Sequence, residues 1–232
     1  MSLVELQFFL STPRNHEEVC VNRTLALLLC RIALVGGWMA YARVAPQPIS
    51  AAAANPPKVE HRRIYFVPIG GFPVDDLQPL VQYYHQKYKL EITIVGRIPV
   101  DPAALDVSRR QLMAENLGSN LRNQVPEAAK DPESVEIGFM TEDMYLVSQG
   151  WQFAFGWRLG SARTAVVSTA RLSLSSFGQT SDQELLPTRL RKIVTKDLGI
   201  LYFGLPQREN PKSVLYNQIM GIAELDAVGE DF

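Results

Sequence analysis

The chain has little histidine and little cysteine, and both are concentrated towards its N-terminus. Its 232 residues contain three histidines and two cysteines, and neither residue type occurs beyond His85. This absence excludes a zinc site built from histidine or cysteine in the C-terminal part of the chain. It also excludes a disulfide framework, a Ser-His-Asp triad and a Cys-His dyad from that part.

An excess of basic residues is absent as well. The 23 basic and 24 acidic side chains give a net charge of -1, and proteins that bind nucleic acid usually carry a basic patch. We therefore predict no nucleic-acid partner. With 47% hydrophobic and 20% charged residues, the chain is long and apolar enough to bury a full core.

The N-terminal part differs from the rest. Residues 24–42 form an apolar run flanked by Arg23 and Arg43 and interrupted by Arg31, and residues 45–55 are rich in alanine and proline. This pattern is typical of a secretory signal, or of a membrane tether in which Arg31 would cost roughly 2.5–3.5 kcal/mol. An ordinary N-terminal helix is the alternative. We predict a signal or anchor with a linker over residues 1–60, and a folded domain over residues 61–232 that is exported (periplasmic or extracellular) or membrane-tethered.

The folded domain alternates between strand and helix patterns. Short apolar runs rich in β-forming residues predict strands, and helical spacing of apolar residues predicts helices. The order β-α-β-α-β-β-β-α favours an α/β sandwich around a mixed sheet. His85 is interpreted as a surface or packing residue. The predicted strands are residues 64–69, 91–95, 135–140, 153–157 and 164–172, and the predicted helices are residues 74–88, 107–125 and 184–202.

Four segments in this domain resemble the archaemetzincins, a family of zinc metallopeptidases. They are I-Y-F-V-P-I-G at residues 64–70, residues 102–114 with S-R-R-Q-L, T-E-D-M-Y at residues 141–145 followed by F-A-F-G at 153–156, and A-V-V-S-T-A-R-L at residues 165–172. The resemblance implies a metzincin-like fold: a mixed, mostly parallel sheet with an edge strand, and helices packed on it.

In that family the third helix carries the zinc motif H-E-x-x-H-x-x-G-x-x-H, in which the histidines bind zinc and the glutamate is the general base. The segment that resembles it here has no histidine. Its degenerate motif positions are Lys196, Asp197, Ile200, Gly204 and Pro206. The glycine is displaced by one residue, so a one-residue insertion would make Gln207 the third ligand position.

The downstream segment also departs from the family. The resemblance places Leu215 where a methionine turn is expected and Ser213 where a cysteine is expected, and the tail has no cysteine pair. We therefore expect no metal and no other cofactor, although the family implies zinc. The function predicted is that of an archaemetzincin-like pseudo-peptidase, which has no catalytic activity and has a peptide-binding cleft.

The cleft is assigned to the strand at residues 165–172, which resembles the edge strand that metzincins use for an extended substrate. Its cleft residues are Val166, Val167, Ser168 and Thr169. An extended peptide or protein segment is the partner that this arrangement implies, because main-chain pairing with a sheet edge needs no metal.

Two alternatives keep an enzymatic activity. Zinc would bind substitute ligands such as Asp197, Glu184 or Glu209, or Ser168 would be a nucleophile activated by Lys196. A third interpretation gives Lys196 no role at the site and makes it a solvated lysine in a basic stripe, whose other members are Arg189, Arg191 and Lys192.

Overall fold

The computed structural model describes residues 62–173 and 184–232, which belong to one compact unit of the chain. Eight strands and five α-helices make up this part. The strands are β1 (Ile64–Pro68), β2 (Ile92–Ile94), β3 (Leu105–Asp106), β4 (Gln111–Met113), β5 (Val135–Met140), β6 (Met144–Tyr145), β7 (Gly156–Leu159) and β8 (Thr164–Ser168). The helices are α1 (Leu77–Tyr88), α2 (Ala114–Gln124), α3 (Pro126–Ala129), α4 (Leu186–Leu201) and α5 (Ile222–Ala227).

The main sheet has five strands in the order β2-β1-β5-β8-β7. The first four are parallel, and β7 runs antiparallel to β8 at one edge. A second, small sheet has the order β3-β4-β6. The predicted fold class, a mixed and mostly parallel sheet with an edge strand and packed helices, is confirmed.

Helices cover both faces of the main sheet, because successive side chains of a strand point to opposite faces. Ile64 and Phe66 of β1 belong to the core that includes residues of α1, α4 and α5. Tyr65 and Val67 belong to a second core that includes residues of α2 and α3. The main sheet therefore forms the middle layer of three. Helices α1, α4 and α5 lie on one side of it, and α2 and α3 lie on the other.

The assignment of the edge strand to residues 165–172 was wrong. In β8, Val166 pairs with Gly138 of β5 on one side and with Trp157 of β7 on the other. The backbone nitrogen of Ser168 donates to the carbonyl of Phe155 at 2.9 Å. Val166, Val167, Ser168 and Thr169 thus occupy an interior strand and the turn after it, and their main chain is not open to a peptide. The edge strands of the main sheet are β2 and β7, and β7 is the one that pairs with β8.

Two other boundaries differ from the prediction. Residues 107–113 were predicted as the start of a helix, but they form a turn and β4, because the Asp106 carboxylate accepts from the backbone nitrogens of Ser108 and Arg109 and stabilises a turn instead. The predicted strand at residues 153–157 begins at Gly156, since the rings of Phe153 and Phe155 pack edge to face 5.4 Å apart and lead into it.

No helix in the described residues is long and apolar enough to cross a membrane. The apolar run at residues 24–42, its linker, and the predictions of export and tethering all lie outside the described residues. They stay predictions, as does the domain boundary at residue 61.

The packing of α2 against β7 gives a test of the edge strand's position. A Cβ on Gly118 would lie 2.2 Å from Cζ3 and 2.5 Å from Cε3 of Trp157. We expect Gly118→Ala to lower the free energy of unfolding by roughly 1–3 kcal/mol through overpacking, although alanine is the better helix former. Urea denaturation followed by far-UV circular dichroism measures this change.

Gly160→Ala is the matched control, because a Cβ on Gly160 meets nothing within 4 Å. Trp157→Leu should restore part of the stability that Gly118→Ala loses, since the two sites are in contact. Equal stability of Gly118→Ala and the wild type would contradict this account of how β7 is held.

Candidate functional site

Helix α4 forms the floor of the candidate site and is buried on most of its surface. Its apolar residues recur at helical spacing and face the sheet, with Leu190, Val194 and Leu198 at 4% exposure or less. Pro187 lies in the first turn, where proline fits a helix. The segments that follow α4 pack against its remaining faces, so polar side chains on this helix are also buried.

Lys196 is not the solvated lysine of a basic stripe, and that interpretation was wrong. Lys196 is 7% exposed, and its predicted stripe neighbours Arg189 and Lys192 are 1% and 8% exposed. Only Arg191 of the four is half-buried. The physical reason is that α5 and the segment at residues 212–217 pack against the flank of α4 that the sequence suggested was open.

The ammonium of Lys196 donates to the backbone carbonyl of Tyr216. Desolvation by burial lowers the pKa of Lys196 to about 8, and the positive charge of Arg158 acts in the same direction. The negative charge of Asp197 opposes both. This side chain therefore ties α4 to the downstream turn and retains a positive charge at neutral pH.

Asp197 has no access to solvent, and its partner is Arg158 on the edge strand. Nη1 of Arg158 donates to Oδ1 of Asp197 at 2.7 Å. Oδ2 of Asp197 has no hydrogen-bond partner in the described part of the chain. Burial raises the pKa of Asp197, and the Arg158 charge counteracts that shift. The ion pair fixes β7 over α4, where Gly156 also lies close to Ile193.

Ile200 lies one helical turn beyond Lys196 on α4, so the two side chains share a face of one helix as predicted. Ile200 is half-buried and offers no donor atom. The helix ends at Leu201, and the left-handed residue of the following turn is Gly204, with φ +67°. Pro206 and Gln207 come after this turn and are exposed.

Leu215 lies directly under α4. It is fully buried, and a Cβ on Gly199 would lie 2.8 Å from its Cδ2 and 2.5 Å from Cε1 of Phe232. A turn holds Leu215 there: Tyr216 donates its backbone N–H to the carbonyl of Ser213 at 3.0 Å. The close approach requires glycine at position 199, which explains the Leu-Gly pair in the helix.

Ser168 and Lys196 do not form a dyad. The Ser168 hydroxyl donates to the carbonyl of Glu142 at 2.6 Å, and the Lys196 ammonium donates to Tyr216. Each group is thus bound to a different main-chain carbonyl. A lysine that activates a serine must lie within hydrogen-bond reach of it, and these contacts do not provide that arrangement.

Zinc does not fit the residues that occupy this site. Among residues 62–173 and 184–232, no three His, Cys, Asp or Glu side chains are grouped so that they could hold a metal ion. Asp197 is engaged by Arg158, whereas Glu184 and Glu209 are exposed. An ammonium, an aliphatic side chain and a proline or neutral amide stand at the positions that the resemblance assigns to zinc ligands.

The segments that resemble the family meet in a polar network beside the sheet. Arg171 donates to Asp143 at 2.6 Å, and Gln111 donates to the same carboxylate at 2.8 Å. The guanidinium of Arg171 also lies over the ring of Phe153, 4.6 Å from its centroid. These contacts join the S-R-R-Q-L, T-E-D-M-Y and T-A-R-L segments, so these residues have a structural reason to occur together.

Arg158 is the site residue that the sequence did not reveal. It lies 39 positions before Asp197 in the chain, and its short strand shows no periodic pattern. A signal did exist in the helix: an aspartate among apolar residues needs a cation when it is buried. That signal predicts a partner but does not say which arginine supplies it.

The chain is similar in sequence to known archaemetzincins. The archaemetzincin of Pyrococcus abyssi is 31% identical over 161 residues, which are 66% of this chain and 81% of that protein. The archaemetzincin of Pyrococcus furiosus is 30% identical over 162 residues, covering 66% of this chain and 79% of that protein. No protein-family model matches the chain.

Solved structures agree at the level of the fold. The archaemetzincin of Archaeoglobus fulgidus, solved with malonate, has a TM-score of 0.58 at 22% identity, covering 73% of this chain and 94% of that one. The archaemetzincin of Methanopyrus kandleri has a TM-score of 0.60 at 24% identity, covering 76% and 91%. A zinc-dependent peptidase from Methanocorpusculum labreanum has a TM-score of 0.61 at 21% identity, covering 73% and 95%. On the sequence similarity, the chain belongs to the archaemetzincin family.

Proposed function

We propose that this chain is a non-catalytic archaemetzincin that keeps the scaffold of a peptidase and has lost the zinc chemistry. The observation that carries the proposal is the state of Lys196. At the position of the first metal ligand stands a buried ammonium that donates to a main-chain carbonyl. Its positive charge opposes the binding of a divalent cation.

Two side-chain contacts join α4 to the elements around the candidate site. Lys196 connects α4 to the turn below it through the Tyr216 carbonyl, and Arg158 connects the edge strand to α4 through Asp197. The buried Leu215 packs against Gly199 between these contacts. The site is therefore held together by side chains, which supports a scaffold that does not depend on zinc.

The turn after α4 supports the alignment in which Gln207 is the third ligand position. The left-handed φ of +67° occurs at Gly204, and the family motif has its third histidine three residues after the glycine. Counting from Gly204 leads to Gln207. A neutral amide is a poor substitute for histidine at a zinc centre.

The proposed activity is the binding of an extended peptide along β7. Its inner edge pairs with β8, and in the described part of the chain no further strand pairs with its outer edge. An edge of this kind binds a peptide through main-chain hydrogen bonds without bond cleavage. The peptide site is thus proposed one strand away from residues 166–169.

Metal analysis tests the loss of zinc. We expect the full-length chain, incubated with zinc and then desalted, to retain far less than one zinc per chain by mass spectrometry of the metal. One tightly held zinc per chain would show the proposal to be wrong.

A restored site provides the positive control. We expect the combined substitutions Lys196→His, Asp197→Glu, Ile200→His and Gln207→His to bind one zinc per chain, since three histidines and one open position suit a catalytic zinc. The matched variant carries Pro206→His in place of Gln207→His and should bind zinc more weakly. No zinc in either variant would refute the correspondence between these positions and the family motif.

The retained ammonium predicts an unusual dependence of stability on pH. The pKa of Lys196, about 8, lies below its ordinary value of 10.5. Between pH 8 and pH 10.5 the unfolded chain binds more protons at this lysine than the folded chain does. The contribution of Lys196 to the free energy of unfolding therefore rises with pH in this range. We expect Lys196→Met to stabilise the protein by roughly 1–3 kcal/mol at neutral pH, with the gain disappearing as pH rises towards 10.5.

Urea denaturation of the wild type and of Lys196→Met between pH 7 and 10.5 measures the difference in their free energies of unfolding. The contributions of the other titrating groups cancel in this difference. Lys130→Met serves as the control, because Lys130 is exposed. Its free energy of unfolding should stay close to that of the wild type at every pH. A difference that stays constant with pH would show that Lys196 is not a buried ammonium.

A further inference from the structure

Arg158 presents a partly free guanidinium at the edge strand. Its side chain is 20% exposed, and among the described residues only Nη1 is seen in a hydrogen bond, the one to Asp197. A guanidinium has five N–H donors arranged as a planar fork. The described residues therefore leave the other donors of this fork free for a ligand.

The charges at the site do not balance. Arg158 and Lys196 are cations and Asp197 is an anion, which leaves one positive charge in excess. The charges of Arg158 and Asp197 both act on Lys196, in opposite directions. A single negative charge on a ligand would neutralise this cluster.

Asp197 orients the guanidinium of Arg158. Its carboxylate is fully buried, yet one of its two oxygens has no donor within the described part of the chain. A buried ion pair with incomplete hydrogen bonding is a weak source of stability, because desolvation opposes the attraction between the charges. Asp197 is thus a positioning residue that holds the guanidinium of Arg158 between β7 and α4.

We propose that Arg158 binds the carboxylate of an extended peptide that lies along β7, with Asp197 fixing the guanidinium and Lys196 adding positive charge behind it. The proposal rests on the peptide-binding function above and names the group that the site selects. A carboxylate matches the planar fork and carries one negative charge. The carboxylate comes from the peptide C-terminus or from an Asp or Glu side chain.

The experiment compares three libraries of extended hexapeptides on the full-length chain by fluorescence anisotropy. The first library has a free C-terminal carboxylate and no acidic residue, the second is amidated and contains one glutamate, and the third is amidated without any acidic residue. We expect one of the first two to bind roughly tenfold or more tightly than the third. Which of the two binds identifies the source of the carboxylate.

Variants test whether Arg158 is responsible. Arg158→Gln should abolish the preference for the carboxylate, and Lys130→Gln, which removes an exposed charge elsewhere, should preserve it. Since Arg158→Gln leaves Asp197 unpaired and the protein can fail to fold, the pair Arg158→Gln with Asp197→Asn provides a neutral alternative. The ratio of the two dissociation constants, for carboxylate-bearing and for amidated peptides, does not depend on how much of the protein is folded. A variant that only lowers the folded fraction would therefore leave this ratio unchanged.

Equal affinity for all three libraries, or a preference that survives loss of Arg158, would overturn the carboxylate site and leave the peptide-binding function standing. Absence of saturable binding by every library would overturn both. Binding of the carboxylate libraries by the wild type alone would support the two proposals together.

Discussion

The buried carboxylate of Asp197 is the constraint on which the rest of the site depends. A charge without access to water must be paired, and the cation comes from the edge strand, 39 positions away in sequence. That contact links β7, an edge strand of the sheet in the described residues, to α4. It also places a second positive charge near Lys196, so the carbonyl of Tyr216 becomes a necessary acceptor for the ammonium.

The fold was predictable where local pattern and tertiary environment agree. Strand β1 is a continuous apolar run, as expected for a strand buried on both faces, and β5 was predicted from its alternation of apolar with small or polar residues. The periodicity of α4 identified a helix that carries Lys196 and Ile200 on one face. The predicted helix at residues 107–125 was confirmed over α2, but its start was wrong because Asp106 caps a turn and because β4 pairs with β6. Neither effect is visible in periodicity.

The site was predictable only in its helical part. The absence of histidine identified what the scaffold lacks, but sequence spacing cannot say which strand is at the edge of a sheet, and β8 was chosen although it lies inside. The burial of Lys196 was also missed, because α5 and the segment below α4 cover a flank that looks open when the helix is considered alone. Arg158 was missed since a single arginine in a short strand has no distinguishing pattern.

The alternation of side chains along β7 has a mechanical consequence. Trp157 points behind the sheet and rests on Gly118 of α2, whereas the next residue, Arg158, reaches α4 on the opposite side. Two consecutive residues therefore hold β7 on both faces of the sheet. A substitution on α2 can therefore shift the position of β7, and with it the peptide site that we propose along this strand, without touching the ligand.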